Sequence, residues 1–355
     1  YTIGQKGFIT RLIPETIFEY GTRRVSAEVV AYAAKDVQES ILITEIPPER
    51  GTVENMAYSA GTAEVNADGS ISWDITGVTG EEATLTYDVV VPSEIWGGFS
   101  FDGEMALGVD EPIATGGDDT VFIAPPAKAP TGKTVYFFRR IGPSTAGDSM
   151  FNDEAFAAYV AAMFGVEVVS FDDTNAEGYE MPPDLSGADA AFVSGSIGSS
   201  NVGNMEYHLN SPVPIFNLEG ALDDDYAFQS GEGLGSADDE EIEIVDNTHP
   251  ITQGFSQGAV QVYDDEMYFG GLENPPDGLR VLATIPANPN LAALWVLEPG
   301  ESANGVTTPG LRVDSWMSTS SLVDLNDEGL RLLNQIIAYV LDEEPPAAVE
   351  DFALY

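Results

Sequence analysis

Between Ile9 and Ala124 apolar and polar residues alternate in short runs, and turn-forming residues interrupt them about every 8 to 12 positions. Runs such as RRVSAEVVAYAA, ESILITEIPP and ATLTYDVVVPS put every second side chain on one face. This period of two predicts an antiparallel sandwich, each strand having one inward and one outward face. In AEVNADGSISW the pair Asp68-Gly69 separates two such runs and supplies the positive φ values that a tight hairpin needs. Trp73 and Tyr87 then fall on inward faces, where large aromatic rings fill the space between sheets.

Beyond residue 132 the rhythm changes. Residues 133–138 form a short apolar strand, and after a polar loop Phe151, Ala155, Ala158, Tyr159 and Ala162 share one helical face, with Gly165 as a C-terminal cap. Buried strands follow at residues 166–173, 188–196 and 213–220. Strand, helix, strand, loop, strand is the cadence of a parallel sheet with helices on its faces. Further strands are expected in EIEIVD, AVQVYDD, LRVLATI, AALWVLE and LRVDSWM. A closing amphipathic helix has Leu330, Leu333, Ile337, Tyr339 and Val340 on its apolar side.

Two resemblances accompany these patterns. The segments ITRLIPETIFEYGTRRVSAEVVAYA, ILITEIPPERGTVE, GSISWDITGVTGEEATLTYDVVVP and GFSFDGEM together resemble the immunoglobulin-like repeats of large bacterial surface proteins. The segment EIVDNTHPITQGF, followed by VQVYDDEMYF, is similar to the trehalose-utilisation and class I glutamine-amidotransferase-like superfamily. That second likeness implies a flavodoxin-like α/β fold. The chain is therefore expected to be multidomain. It would comprise an N-terminal tail (residues 1–8), an all-β immunoglobulin-like sandwich (9–124), a Pro-rich linker (125–132), a flavodoxin-like α/β domain with a parallel sheet (133–343) and a C-terminal tail (344–355).

Charge excludes several partners. With 13 Lys and Arg against 59 Asp and Glu, the formal net charge is −46. Such a body repels nucleic acid and anionic membrane surfaces until salt screens it. Membrane insertion is not expected either, because no stretch approaches about 18 consecutive apolar residues. The absence of Cys removes thiolate nucleophiles, disulfides and Cys-based zinc sites. An acidic surface becomes tolerable where the Debye length falls to about 8 Å or less, so the expected location is extracellular or at the cell surface.

Candidate chemistry gathers beyond the carboxyl ends of the predicted parallel strands, where open α/β sheets collect ligands. Arg139 and Arg140 follow the first strand and could clamp an anion or neutralise Asp172 and Asp173. The turn after the third strand holds Ser194 and Ser196, where the resembled amidotransferases carry a nucleophilic Cys. A serine nucleophile at Ser196 would need His208 or His249 as base; a small-residue turn beside a helix is the plainer reading. No cofactor is required, and calcium is the one candidate. It accepts six to eight oxygen ligands, and Asp223, Asp224, Asp225, Asp264 and Asp265 are oxygen-rich without the spacing of a calcium-binding loop.

Apolar residues at the ends, Phe8, Val349, Phe352, Leu354 and Tyr355, suggest assembly through terminal strands or tails. The chain is thus expected to be a non-enzymatic extracellular structural module, a subunit of a fibre or surface array whose partners are copies of itself or other surface proteins. The alternatives are a glycan- or anion-binding surface module and a hydrolase dependent on Ser196.

Overall fold

The computed structural model describes residues 6–22, 24–37, 40–48, 50–92, 96–108, 110–140, 148–173, 184–197, 210–222, 234–317, 322 and 324–346. The chain divides into two compact units, one within residues 1–125 and the other within residues 126–350.

The first unit contains β1 (Gly7–Leu12), β2 (Ile17–Phe18), β3 (Arg24–Ala33), β4 (Ile41–Ile46), β5 (Thr52–Tyr58), β6 (Thr62–Val65), β7 (Ile71–Asp74), β8 (Glu82–Val90), β9 (Gly97–Ser100), β10 (Asp102–Leu107), β11 (Ile113–Ala114), β12 (Gly116–Gly117) and β13 (Thr120–Ile123). Two five-stranded sheets have the orders β12-β1-β3-β8-β5 and β11-β10-β4-β7-β6, and a smaller one runs β2-β13-β9. Period-two patterning becomes a sandwich core. Val25, Val29 and Ala31 of β3 with Leu85, Tyr87 and Val89 of β8 are buried on one side, and Ile41, Ile43, Trp73 and Met105 on the other. At the β6–β7 hairpin Gly69 has φ +90°, and the Asp68 carboxylate accepts the Ser70 N–H at 3.0 Å. Phe8 belongs to β1 rather than to a tail, and its ring stacks on Tyr32 at 5.6 Å.

A charged pair lies inside this core. Arg11 of β1 is 1% exposed and Glu45 of β4 is 0% exposed, so the pair links the two sheets. The Arg11 Nε donates to Glu45 Oε2 at 2.9 Å, and Nη2 donates to the Asp102 carbonyl at 2.8 Å. Tyr87 and Thr115 hydroxyls donate to the same carboxylate at 3.0 and 3.1 Å. Gly103 leaves room for it, since a Cβ there would stand 2.5 Å from Glu45 Oε1. Burial raises the Glu45 carboxyl above its ordinary value against the opposing pull of Arg11.

The second unit contains β14 (Thr134–Arg139), α1 (Asp148–Phe164), β15 (Glu167–Asp172), β16 (Ala190–Val193), β17 (Ile215–Asn217), β18 (Leu234–Asp239), β19 (Glu241–Ile244), β20 (Gly258–Gln261), β21 (Met267–Glu273), β22 (Arg280–Ile285), β23 (Asn288–Leu297), β24 (Ser302–Ala303), β25 (Val306–Thr307), β26 (Arg312–Ser315) and α2 (Asp327–Leu341). Its main sheet has eleven strands among the described residues, in the order β15-β14-β16-β17-β26-β23-β22-β19-β20, with β21 joined to β23 and β18 to β21.

This sheet corrects the expected flavodoxin-like α/β domain. Pairing is parallel only from β15 to β26; β23 runs antiparallel to β26, and β18–β23 pair with one another in antiparallel fashion. Among the described residues only two α-helices accompany these strands, so the unit is mostly β and mixed rather than an alternation of strand and helix. The cause is visible in β19, where Glu241-Ile242-Glu243-Ile244 buries one face only. That is antiparallel patterning, whereas parallel strands covered on both sides are apolar throughout.

Helix α1 buries Ala155, Phe156, Tyr159, Val160 and Phe164. Ala158 and Ala162 are only half-buried, so the buried arc is rotated from the expected one; the Phe151 side chain lies outside the described residues. Gly165 has φ +64°, as a C-terminal cap requires. The Lys128 and Thr131 N–H groups donate to the carbonyls of Ala162 and Gly165, both at 2.8 Å, so the Pro-rich segment satisfies the end of α1.

Helix α2 begins at Asn326, whose side-chain oxygen accepts the N–H groups of Glu328 and Gly329 at 3.1 and 3.0 Å. Asn326→Ala is expected to cost about 1 kcal/mol, read as a lower urea midpoint with an unchanged m-value. At the other end Lys133 donates to the Leu341 carbonyl and lies 2.8 Å from Glu343. It supplies the cation that the last turn of α2 lacks.

Candidate functional site

The pairing register sets Arg139 beside Asp172, Phe138 beside Val193 and Asn217 beside Asp314. The carboxyl ends of β15, β14, β16, β17 and β26 therefore form a row. Residues at these ends are polar yet buried, among them Arg139, Asp172, Asp173, Ser194, Asn217, Asp314 and Ser315. Buried polar groups require partners, and the partners define the site.

Asp153 of α1 stands at the centre of one cluster. The Ser194 hydroxyl donates to one of its oxygens, and the Ser196 hydroxyl donates to the other at 2.6 Å. Ser196 Oγ also accepts the Arg140 N–H at 3.0 Å, and Ser194 Oγ accepts the Ser196 N–H at 3.0 Å. Burial pushes the Asp153 carboxyl up to about 6, while the two hydroxyls and Arg139 pull it back.

The two arginines differ. Arg140 forks onto Asp173, with Nη2 at 2.9 Å and Nε at 3.2 Å from Oδ2, and the bond raises the guanidinium's hold on its proton. Arg139 is 9% exposed, and Nη1 lies 3.6 Å from Glu154 Oε1, beyond hydrogen-bond distance. Its Nε and Nη1 have no hydrogen-bond partner, and neither has Asn152 Oδ1 on α1.

Toward the other end of the row, Asn217 Nδ2 donates to Asp314 Oδ2 and to the Glu219 carbonyl. Burial drives the Asp314 carboxyl well above its ordinary value, the Asn217 bond opposes this, and the Glu219 charge adds to it. Ser315 Oγ and Trp316 Nε1 are buried without hydrogen-bond partners.

His249 is committed elsewhere. Its Nδ1 accepts the Ile251 N–H at 3.2 Å, which leaves the proton on Nε2, facing Glu298 Oε1 at 3.2 Å. The ring meets Tyr339 edge-on at 4.7 Å, and burial lowers its pKa, opposed by the Glu298 bond. No bond joins His249 to Ser194 or Ser196, and His208 lies outside the described residues.

Other candidates are dispersed. Asp264 and Asp265 are exposed, Asp223, Asp224 and Asp225 lie outside the described residues, and among the described residues no three acids or histidines converge on a metal position. Val349, Phe352, Leu354 and Tyr355 also lie outside the described residues. Among the described residues no helix is long and apolar enough to cross a membrane.

Sequence reasoning reached Arg139, Arg140, Ser194 and Ser196 through strand-end position, but missed Asn152, Asp153, Asn217 and Asp314. A signal existed for Asp153, since it shares the helical arc of Phe156 and Val160.

No known family profile matches the chain, and no curated protein sequence matches it. Among solved structures, a collagen-binding domain of a Staphylococcus aureus adhesin aligns at 11% identity over 34% of this chain and 99% of that one, with a TM-score of 0.23. The chitin-binding domain of a chitinase from Pyrococcus furiosus aligns at 14% identity over 31% of this chain and 97% of that one, with a TM-score of 0.22. A GH20 exo-β-N-acetylglucosaminidase from Vibrio harveyi aligns at 6% identity over 54% of this chain and 31% of that one, with a TM-score of 0.21. Scores this low assign no function, and they lend nothing to the resemblance of the second unit to the trehalose-utilisation and glutamine-amidotransferase-like superfamily. The sandwich of the first unit stands on its own sheet order and burial.

Proposed function

We propose that the protein is a non-enzymatic extracellular surface module, in which a β-sandwich spaces a second unit that holds a ligand at the carboxyl ends of its parallel strands. The observation that carries this reading is the bonding of Ser194 and Ser196 to a single buried carboxylate, Asp153. A serine nucleophile needs a base able to take its proton near neutral pH and oriented by a third group. Asp153 is a weak base for an alkoxide, and both nitrogens of His249 are engaged away from the serines.

The acidic surface supports a saline, extracellular setting, where counterions screen a net charge of −46. In its fuller form the reading has copies joining through their terminal segments into a fibre or array. Incubation with a fluorophosphonate probe followed by intact mass measurement tests the non-enzymatic part; no adduct is expected, and an adduct on Ser194 or Ser196 would overturn it. Electron microscopy in saline buffer, with and without residues 344–355, tests assembly. Polymers that persist without those residues would rule out exchange of the C-terminal tail.

A further inference from the structure

Building on the reading of the second unit as a holder of ligand, we propose that the row of strand ends from β15 through β14, β16 and β17 to β26 binds a neutral, hydroxyl-rich ligand, a stretch of uncharged glycan, with Arg139 as its main donor. The buried polar atoms left over there are of both kinds. Arg139 Nε and Nη1 are donors without partners, Asn152 Oδ1 is an acceptor without one, and Ser315 Oγ at the end of β26 and Trp316 Nε1 next to it repeat the situation. Folding that leaves such groups unmet costs free energy. A ligand restores the balance if it both donates and accepts, and a hydroxyl does so through one proton and two lone pairs.

Charge decides among ligand classes. Asp153, Glu154, Asp172, Asp173 and Glu219 stand around the two guanidiniums of Arg139 and Arg140. The charge of Arg140 is already answered by Asp173. An anion would thus enter an excess of carboxylate on a strongly negative body, against the local field. A metal cation is not served either, because both Asp153 oxygens are held by serine hydroxyls and no three acidic or histidine side chains converge among the described residues. A neutral ligand suffers neither penalty. Five strand ends at about 4.8 Å spacing make a row about 19 Å long, which suits several linked sugar rings better than a single one.

Calorimetry on the full chain provides the test, with maltotriose, cellotriose and triacetylchitotriose as neutral probes. A trigalacturonate and the deacetylated, cationic chitotriose serve as charged counterparts. At least one neutral trisaccharide is expected to bind at millimolar concentration or better, with the uronate at least tenfold weaker at low salt. The matching monosaccharide is expected to bind more weakly than the trisaccharide; equal affinity would overturn the glycan assignment in favour of a free sugar. Arg139→Lys, which keeps the charge but loses the fork, should weaken binding at least tenfold without lowering the thermal midpoint of the unliganded protein. Asn152→Ala gives an independent reading should Arg139→Lys fail to fold.

Absence of binding by every neutral probe, tighter binding of the uronate, or affinity unchanged in both variants would overturn the proposal. A reducing-end assay on the same mixtures separates the two readings. Binding with cleavage upholds this site while defeating the non-enzymatic reading, and neither binding nor cleavage defeats this site alone.

Discussion

Replacing Arg11 with Met will destabilise the β-sandwich by about 3–5 kcal/mol, because a buried carboxylate is left without its counter-charge. Glu45 is fully buried and keeps only the hydroxyls of Tyr87 and Thr115 as donors once Arg11 is gone. The Asp102 carbonyl loses a donor in the same step. Urea denaturation of the full chain should show the loss as an earlier transition. The double variant Arg11→Met/Glu45→Gln should recover most of it, since a neutral amide has no charge to strand. Because burial already raises the Glu45 carboxyl, lowering the pH should also restore part of the stability of Arg11→Met. The surface pairs of Arg24 with Asp88 and Glu54 form the comparison. Solvent screens them, so Arg24→Ala should cost no more than about 1 kcal/mol. Equal losses for Arg11→Met and Arg24→Ala would disprove a core role for the Arg11–Glu45 pair.

Asp153→Asn should stabilise the second unit at neutral pH. Its carboxyl rises from 3.8 to about 6 on folding, and a shift of that size corresponds to about 3 kcal/mol. The sign follows from which state holds the proton. Between these two values the folded form is protonated and the unfolded form is not, so stability gained in acid is lost as the pH climbs through 6. Wild-type stability should therefore rise from pH 7 to pH 5. The variant should begin higher at pH 7, by about 2 kcal/mol after about 1 kcal/mol is deducted for a weaker acceptor to Ser194 and Ser196. Glu45 and Asp314 add slope of the same sign to both proteins, so the difference between the two profiles isolates Asp153. Parallel profiles would refute the assignment.

The sandwich was largely legible because its rules are local. Asp68-Gly69 announced the hairpin, and the inward phase of Trp73 and Tyr87 followed from counting by two. The same counting, carried from Ile41 and Ile43 to the next inward position, lands on Glu45. Alternation gives the facing of this side chain but not the partner it meets across the sheets. In the second unit the strands themselves were visible, but their direction was not. Pairing of β23 with β26 or of β18 with β21 joins residues far apart in sequence, and no short window encodes that choice. The site shows the same limit. Strand-end position exposed Arg139 and Ser194, whereas Asp153 reaches Ser194 only after a helix has packed against the sheet.

The bonds of Lys133 to the last carbonyl of α2 and to Glu343 bring the beginning and end of the second unit to one place. Tension applied along the polypeptide would therefore enter and leave at the same spot. The clasp would part first, and the load would then fall on α2 at one end and on β14, paired on both sides, at the other. A unit pulled in this way lengthens by about 3.3–3.6 Å for each residue set free.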